Sequence, residues 1–277
     1  MIKYVLALEG SERLKGFKEQ GFSKDFKVWN AFNGHTEPIP DYVDLDEFSR
    51  VLRRPPYPGE IGCVVSHYLL CKNFIENHPN ENLLLVAEDD VRFDDKAQRV
   101  IKRVQKLTNW NKVGIVVLAT PGLSAGERRF LSPDQNLAVL SLFSKPIGKS
   151  GFYPILLGSF DGMALGTGLY IISQDAARKY VKYVETGHKI SWPADYYKIW
   201  AKEAGIHMNL VRPGICSWEG PSTIGGEEHT WEKEYLKYSL EGQSRFRIIR
   251  QNLFIRQRFI RLGRSIKCVL RWRGNLR

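Results

Sequence analysis

A short apolar run that ends in three consecutive acidic residues constrains the fold of this chain more than any other feature. Residues 83–87 are apolar without a helical stripe, a pattern typical of a strand buried in a parallel sheet. Glu88, Asp89 and Asp90 follow where this strand should end. Because open α/β sheets bind ligands outside the carboxyl ends of their strands, we expect the three acids at a ligand site.

Three adjacent carboxylates repel one another unless a positive charge lies among them. A divalent metal ion that carries a diphosphate supplies such a charge, and one or two carboxylates are enough to bind it. An acidic turn that faces solvent, followed by a helix that Asp94 or Asp95 caps, is the other interpretation that these residues allow.

The rest of the chain alternates apolar strands with amphipathic helices. We predict strands at residues 2–8, 26–29, 83–87, 113–119, 169–172 and 208–211. We predict helices from residue 11, after residues 58–63 to about 78, from 94 or 95 to 107, over 173–184 and from 193. A Pro-rich functional loop is expected at 36–58 and a surface hairpin or lid at 121–162. This alternation predicts an α/β fold with a mostly parallel sheet flanked by helices on both faces.

The net charge of +11 resides at the C-terminal end of the sequence. Residues 245–277 hold eleven of the 41 basic residues and no acidic one, so residues 1–244 hold 30 of each sign. A neutral body does not favour a nucleic-acid groove. In the tail, apolar and basic residues occupy opposite helical faces, which indicates an interfacial helix on an anionic membrane surface. Packing on a protein is the main alternative, with nucleic acid as the weaker one.

The cysteines and the apolar segments indicate a cellular location. No cysteine pair has the spacing of a zinc site or a redox motif, so reduced thiols of a cytoplasmic protein are expected. The N-terminal apolar run is too short for a signal peptide, and no stretch approaches the roughly 18–20 apolar residues of a membrane span. We therefore expect a cytoplasmic protein, peripheral at the inner face of the cytoplasmic membrane.

Four blocks of the sequence resemble glycosyltransferase family 25, the bacterial lipooligosaccharide and lipopolysaccharide β-galactosyltransferases and their relatives. The blocks are residues 26–34, residues 58–67 (Pro-Gly-Glu-Ile-Gly-Cys-Val-Val-Ser-His), residues 84–90 (ending in Glu-Asp-Asp) and residues 166–195 (from Gly-Thr-Gly to Pro-Ala-Asp). The second and third blocks are the specific ones at this separation. The resemblance spans roughly residues 2–225 and implies a GT-A-like domain, which we assign to residues 1–240. The basic amphipathic tail at 245–277 lies outside the resemblance.

The resemblance further implies a metal-dependent hexosyltransferase. It favours transfer of galactose from UDP-galactose, with inversion to a β-linkage, onto a lipooligosaccharide, a lipopolysaccharide or another lipid-linked saccharide. UDP-glucose or a UDP-N-acetylhexosamine used in capsule synthesis is the alternative donor. A non-catalytic membrane-surface binding protein on a transferase fold is another possibility. A metal-dependent hydrolase is disfavoured, because the six histidines show no ligand pair at i, i+4.

The resemblance assigns the donor site to matching residues. Asp90 and Glu88 are expected to bind Mn²⁺ or Mg²⁺, which stabilises the UDP leaving group as a Lewis acid. The other donor-binding candidates are Ser66, His67, Asp89, Gly166 and Thr167. Ser66 and His67 are expected at the start of a helix, after a Gly-rich approach, where backbone amides favour an anion. Their structural alternatives are a helix N-cap and a buried histidine, and a tight turn is the alternative for Gly166 and Thr167.

Inverting transfer needs a base that takes the proton of the acceptor hydroxyl. Asp195 matches the family's Pro-x-Asp position and is the first candidate, with a helix first-turn acid as the alternative. Asp161 is the second candidate base, with a turn residue as its alternative. Glu60 is expected to pair with Arg53 or Arg54. The candidate sugar-stacking residues, which are otherwise core residues, are Trp192, Tyr196, Tyr197 and Trp218.

Overall fold

The computed structural model describes residues 1–119, 138–150, 153–162, 164, 166–218, 262–263 and 266. Within them the strands are β1 Ile2–Ala7, β2 Lys27–Asn30, β3 Leu83–Glu88, β4 Val91–Phe93, β5 Ile115–Val117, β6 Ala138–Leu140, β7 Lys145–Ser150, β8 Tyr153–Gly158, β9 Phe160–Gly162, β10 Leu169–Ser173, β11 Met208–Arg212 and β12 Cys216–Trp218. The helices are α1 Glu12–Lys18, α2 Leu45–Leu52, α3 Pro58–Asn77, α4 Ala97–Leu107, α5 Gln174–Glu185 and α6 Tyr197–Glu203, with a 3₁₀ turn at Gly21–Asp25.

The described strands build one eight-stranded sheet and two small ones. The large sheet has the order β2-β1-β3-β10-β5-β11-β8-β7. Six of its strands share one direction, while β10 and β8 run antiparallel to their neighbours. The expectation of a mostly parallel sheet flanked by helices is therefore confirmed, in a mixed form.

The direction of β10 determines which residues meet at the functional edge of the sheet. Because β1, β2 and β3 are parallel, their carboxyl ends lie at one edge. β10 is antiparallel to β3, with Leu169 opposite Ala87, so the residues before β10 lie at that same edge. The backbone continues this pairing, since the Glu88 N–H donates to the Gly168 carbonyl at 2.9 Å.

Strand β3 is covered on both faces. Leu84 and Val86 pack into the core on one side of the sheet, and Leu83, Leu85 and Ala87 pack into the core on the other. This arrangement explains the uninterrupted apolar run, since a strand buried on both faces has no solvent side for polar residues.

Residues close to Pro58 in the sequence determine where helix α3 begins. Proline suits the first helical turn, and Pro58 occupies it. The Glu60 carboxylate accepts the Tyr57 N–H at 2.8 Å and pairs with both Arg54 guanidinium nitrogens at 2.7 and 2.8 Å. The pairing of Glu60 with Arg54 is the supporting contact that the sequence predicts. It fixes the start of the 20-residue helix that forms one wall of the site.

The segment at 36–58 is not the structureless loop that its proline content predicts. Helix α2 occupies Leu45–Leu52, and the Asp44 carboxylate caps it by accepting the Glu47 N–H at 2.9 Å. Phe48 anchors the helix in the core with no exposed surface. The prolines on both sides hid this short helix, which is stabilised by its cap and by one buried ring.

Three further boundaries differ from the sequence-based expectation. Helix α4 starts at Ala97, and its N-cap is Lys96, not Asp94 or Asp95. The helix expected from Pro193 starts only at Tyr197. The expected surface hairpin includes β7 and β8, which extend the main sheet and bury Ile147 and Ile155. Buried apolar residues thus make this hairpin part of the core.

Two expectations concern the part of the chain beyond the body. The predicted domain division at 240–245 and most of the tail at 245–277 lie outside the described residues. Within the described ranges, no helix has the length and apolar character needed to cross a membrane.

Candidate active site

A cleft opens where β1, β2 and β3 end, against the N-terminal half of α3. The sequence-predicted residues Ser66, His67, Glu88, Asp89 and Asp90 all line it. The remaining lining residues come from the strand ends, from α1 and from α3, namely Leu6, Ala7, Leu8, Arg13, Ala31, Phe32, Asn33, Gly34, His35, Gly59, Gly62 and Cys63. The acidic triplet is therefore part of a cleft, and the solvated-turn interpretation is wrong.

Asp89 is held on both carboxylate oxygens by the start of α1. The Ser11 hydroxyl donates to Asp89 Oδ2, and Arg13 Nη2 lies 2.7 Å from Asp89 Oδ1. Asp89 is only 2% exposed. Its two occupied oxygens anchor the turn after β3 and place its neighbours in the cleft. Ser11 and Arg13 were missed in the sequence, because no local pattern links them to acids more than 70 residues away.

Asp90 has a carboxylate oxygen without a partner. Its Oδ2 lies 3.4 Å from Arg13 Nη1, whereas its Oδ1 is buried and makes no hydrogen bond. Burial and the neighbouring Glu88 charge raise the pKa of Asp90 to about 7. Buried polar atoms are almost always satisfied, so an unpaired oxygen in a cleft points to a missing partner. A divalent cation fits this position, because hard cations prefer carboxylate oxygens.

Glu88 is held in its anionic form. Its Oε1 accepts a 2.5 Å hydrogen bond from the Thr167 hydroxyl and lies 3.4 Å from His67 Nε2. Burial raises the pKa of Glu88, but the contacts with His67 and Thr167 outweigh it, so this pKa lies below its ordinary value. Glu88 and Asp90 thus bring a stable charge and an unpaired oxygen to one edge of the cleft.

Ser66 and His67 lie in the middle of α3, not at a helix start. The expected helix start at Ser66, its alternative role as an N-cap and the amide anion site beside it are therefore wrong, because mid-helix amides are already bonded within the helix. The Ser66 hydroxyl donates to Gly62 O at 2.6 Å and accepts the Phe32 N–H at 2.9 Å. Ser66 thereby fastens the segment after β2 to α3. His67 is buried, and its Nδ1 lies 2.8 Å from the Tyr170 hydroxyl.

Two glycines allow the segment after β2 to touch α3. A Cβ atom on Gly34 would lie 1.9 Å from the Pro58 carbonyl oxygen, and one on Gly62 would lie 2.9 Å from the Phe32 carbonyl oxygen. Contacts this close occur only where glycine lets two backbones approach. Gly34 and Gly62 therefore allow the two backbones to form one wall of the cleft.

Asp195 lies next to the same edge, behind the segment that precedes β10. Its Oδ2 accepts the Gly166 N–H at 3.2 Å, and Gly166 adopts the left-handed φ of 90°. Burial raises the pKa of Asp195 to about 6, with the Glu88 charge adding to the shift while the Gly166 hydrogen bond opposes it. Asp195 precedes the N-cap of α6, so it is not a first-turn helix acid.

The remaining candidates, like Asp195, Gly166 and Thr167, are not among the cleft-lining residues. Asp161 is on β9 and pairs with Val139 of β6 in one of the small sheets. Among the aromatic candidates, Trp192 and Tyr197 are buried core residues. Tyr196 and Trp218 are partly exposed. The Trp218 ring packs so closely on Gly168 that a Cβ there would lie 2.5 Å from its Nε1.

The fold and the cleft define an α/β protein with a mostly parallel sheet, in which an acidic turn after a central strand meets a helix and the ends of parallel strands at one sheet edge. The family model described as glycosyltransferase family 25 (LPS biosynthesis protein) matches residues 1–197, and the chain belongs to this family. It is therefore a glycosyltransferase by family. No curated protein matches the sequence.

Several solved structures show a distant similarity in fold. A glycosyltransferase involved in glycosylation of the major capsid of PBCV-1 is 8% identical, covers 80% of this chain and 96% of its own, and gives a TM-score of 0.38. Mannose-1-phosphate geranyltransferase from Thermus thermophilus is 8% identical over 79% and 74%, with a TM-score of 0.33. The 4-diphosphocytidyl-2C-methyl-D-erythritol synthase from Anaerococcus prevotii is 9% identical over 78% and 88%, with a TM-score of 0.32.

Proposed function

We propose that this glycosyltransferase transfers a hexose from a UDP-sugar, with inversion, onto a lipid-linked saccharide of the lipooligosaccharide or lipopolysaccharide type. The family resemblance favours UDP-galactose as the donor. The observation that carries the proposal is the buried, unpaired Asp90 Oδ1 beside the anionic Glu88 in the cleft. A diphosphate donor that arrives with a divalent cation supplies the partner that this oxygen lacks.

The donor side of the reaction uses residues whose positions are already fixed. Asp90 and Glu88 would bind Mn²⁺ or Mg²⁺, which supplies Lewis-acid stabilisation of the departing diphosphate. Asp89 keeps the turn in place through Ser11 and Arg13, and it does not need to touch the cation. Such preorganisation avoids rearrangement as charge develops in the transition state.

The acceptor side of the proposal assigns the general base to Asp195. A base works best when its pKa lies near the working pH, and the pKa of Asp195 is raised to about 6. The Gly166 N–H donates to Asp195 Oδ2 and orients the carboxylate, which in this proposal accepts the proton of the acceptor hydroxyl. Neither Asp195 nor Asp161 is among the cleft-lining residues. Asp195 is preferred because it accepts the N–H of Gly166, whose neighbour Thr167 donates to Glu88.

A lipid-linked acceptor also accounts for the basic tail. Eleven basic residues without an acidic one favour an anionic membrane surface, at roughly 1 kcal/mol for each basic residue near it. Leu262 and Ile266, which share the apolar face of the tail pattern, are exposed. We therefore propose peripheral attachment through residues 245–277, at the cytoplasmic face of the membrane.

A chain truncated after Ser244 should lose sedimentation with anionic vesicles, and equal sedimentation of both forms would contradict this attachment.

The central test measures UDP release by the purified protein from a panel of UDP-sugars, with Mn²⁺ and with EDTA. We expect turnover of one donor, which EDTA abolishes. Asp90→Asn should remove this turnover, while Asp95→Asn makes the same charge change at an exposed position outside the cleft and should retain it. Absence of both turnover and metal-dependent UDP binding would overturn the proposal and favour a binding protein on a transferase fold.

A further inference from the structure

A second group of potential metal ligands lies beside the donor position. Cys63 Sγ, a ring nitrogen of His67 and a carboxylate oxygen of Glu88 all lie within 4.8 Å of one another. Cys63 and His67 are four residues apart on α3, so their side chains project from the same face of the helix. The spacings of the cysteines alone and of the histidines alone do not reveal this pair, because it combines one cysteine with one histidine.

The distances in this cluster are close to those of a bound metal site. In a tetrahedral zinc site, ligand atoms about 2.0–2.3 Å from the metal lie about 3.3–3.7 Å from one another. His67 Nε2 and Glu88 Oε1 are already 3.4 Å apart. A contraction of roughly 1 Å or less, within the reach of side-chain rotation, brings the three atoms into this range.

Two of the ligands have the supporting contacts that metal ligands usually have. The Tyr170 hydroxyl lies 2.8 Å from His67 Nδ1 and accepts its proton in the tautomer that leaves Nε2 free for a metal. The Thr167 hydroxyl donates to Glu88 and orients that carboxylate. Cys63 is among the residues that line the cleft.

The chemistry of the three ligands differs from that of Asp90. A thiolate and an imidazole select soft or borderline cations such as Zn²⁺, while Mg²⁺ and Mn²⁺ favour oxygen ligands. Three protein ligands also leave a fourth zinc position open. The proposed donor-metal site (Asp90 and Glu88) and the group of Cys63, His67 and Glu88 share only Glu88. A cation bound to the second group would therefore compete with the donor site for this carboxylate.

We propose that Cys63, His67 and Glu88 form a binding site for a soft divalent cation such as Zn²⁺, and that its occupation inhibits transfer by withdrawing Glu88 from the donor site. The inhibitory part rests on the proposed function, whereas the binding part does not. Binding releases the Cys63 proton, because the thiolate is the ligand.

Titration of the purified full-length protein with Co²⁺ tests the site without any turnover. Thiolate ligation of Co²⁺ gives a sulfur-to-metal charge-transfer band, together with the strong visible absorption of a tetrahedral site. We expect both signals in the wild type and in Cys71→Ala, which removes another buried thiol of α3. Cys63→Ala should lose the charge-transfer band, and His67→Asn should weaken Co²⁺ binding at least tenfold. Absence of the band in the wild type, or its persistence in Cys63→Ala, would overturn the site.

A second measurement tests the inhibition separately. UDP release at fixed Mn²⁺ is titrated with Zn²⁺, and each variant is compared with its own uninhibited rate. We expect the Zn²⁺ concentration for half inhibition to rise at least tenfold in Cys63→Ala and to stay unchanged in Cys71→Ala. Equal inhibition of all three proteins would contradict the regulatory part. A protein that binds Co²⁺ but releases no UDP with any donor would refute the proposed transfer while supporting the metal site.

Discussion

The Thr167 hydroxyl donates a 2.5 Å hydrogen bond to Glu88 Oε1, although the two residues are 79 positions apart. The contact arises because β10 runs antiparallel to β3, which brings the segment before β10 next to the residue that ends β3. A parallel β10 would have placed Thr167 at the opposite edge of the sheet. The antiparallel direction of β10 therefore places the Thr167 hydroxyl next to Glu88, which lies at the end of β3.

Thr167→Val tests this support with little change in shape. Valine keeps the volume but removes the hydroxyl, so Glu88 loses one donor to its charged form and its pKa rises. Loss of such a supporting contact typically costs about 10–100-fold in metal affinity. We expect the Mn²⁺ concentration for half-maximal UDP release to rise by at least tenfold. Thr186→Val, at an exposed hydroxyl on the far end of α5, is the control, and an equal effect of both changes would refute the supporting role.

Asp195→Asn is expected to stabilise the protein at neutral pH while abolishing transfer. The raised pKa of Asp195 means that the folded protein prefers the neutral acid, so the charged form costs stability above pH 6. This cost declines as pH falls through about 6 and is absent near the ordinary pKa of about 4. Asparagine keeps the acceptor for Gly166 without the charge. The melting temperature at pH 7.5 should rise by about 2–4 °C, and this gain should vanish near pH 4.

The assignment of Asp195 as base also predicts the pH dependence of the reaction. A base must be deprotonated to accept the acceptor proton, so kcat/KM should fall about tenfold per pH unit below roughly pH 6. The measurement uses saturating metal at each pH, so that loss of bound cation does not contribute to the decline. We expect the decline of kcat/KM below pH 6, the acid limb, to persist unchanged in Asp161→Asn. Loss of that limb in Asp161→Asn would instead identify Asp161 as the base.

The parts of the site that the sequence predicted are those with a local pattern. The apolar run of β3 and its acidic end are contiguous, and the Glu60–Arg54 pair spans only six residues, so both follow from the sequence. The pairing of Arg13 with Asp89 joins distant segments, and no periodicity announces it. The direction of β10 was equally hidden, because a strand buried on both faces has the same apolar pattern in either direction.

The sequence predicts the boundaries of α2 and α3 wrongly for a different reason. The prolines around α2 indicate an irregular loop, whereas the Asp44 cap and the buried Phe48 ring stabilise a helix there. Ser66 was expected at a helix start from its place in a Gly-rich block, but Pro58 and Glu60 start the helix two turns earlier. In both cases one side-chain contact determined the boundary, and composition alone did not identify it.

Gly34→Ala should disrupt the wall of the cleft. A Cβ at this position would lie 1.9 Å from Pro58 O and 2.8 Å from Pro58 C, so the segment after β2 must move away from α3. Both neighbours are backbone atoms that cannot rotate away, and overpacking of this kind typically costs about 1–3 kcal/mol. Gly21→Ala, where a Cβ meets nothing within 4 Å, should change stability by less than about 0.5 kcal/mol. Urea unfolding midpoints compare the two variants. Equal midpoints would show that the two backbones are not in close contact, and UDP affinity would then also be expected to remain unchanged in Gly34→Ala.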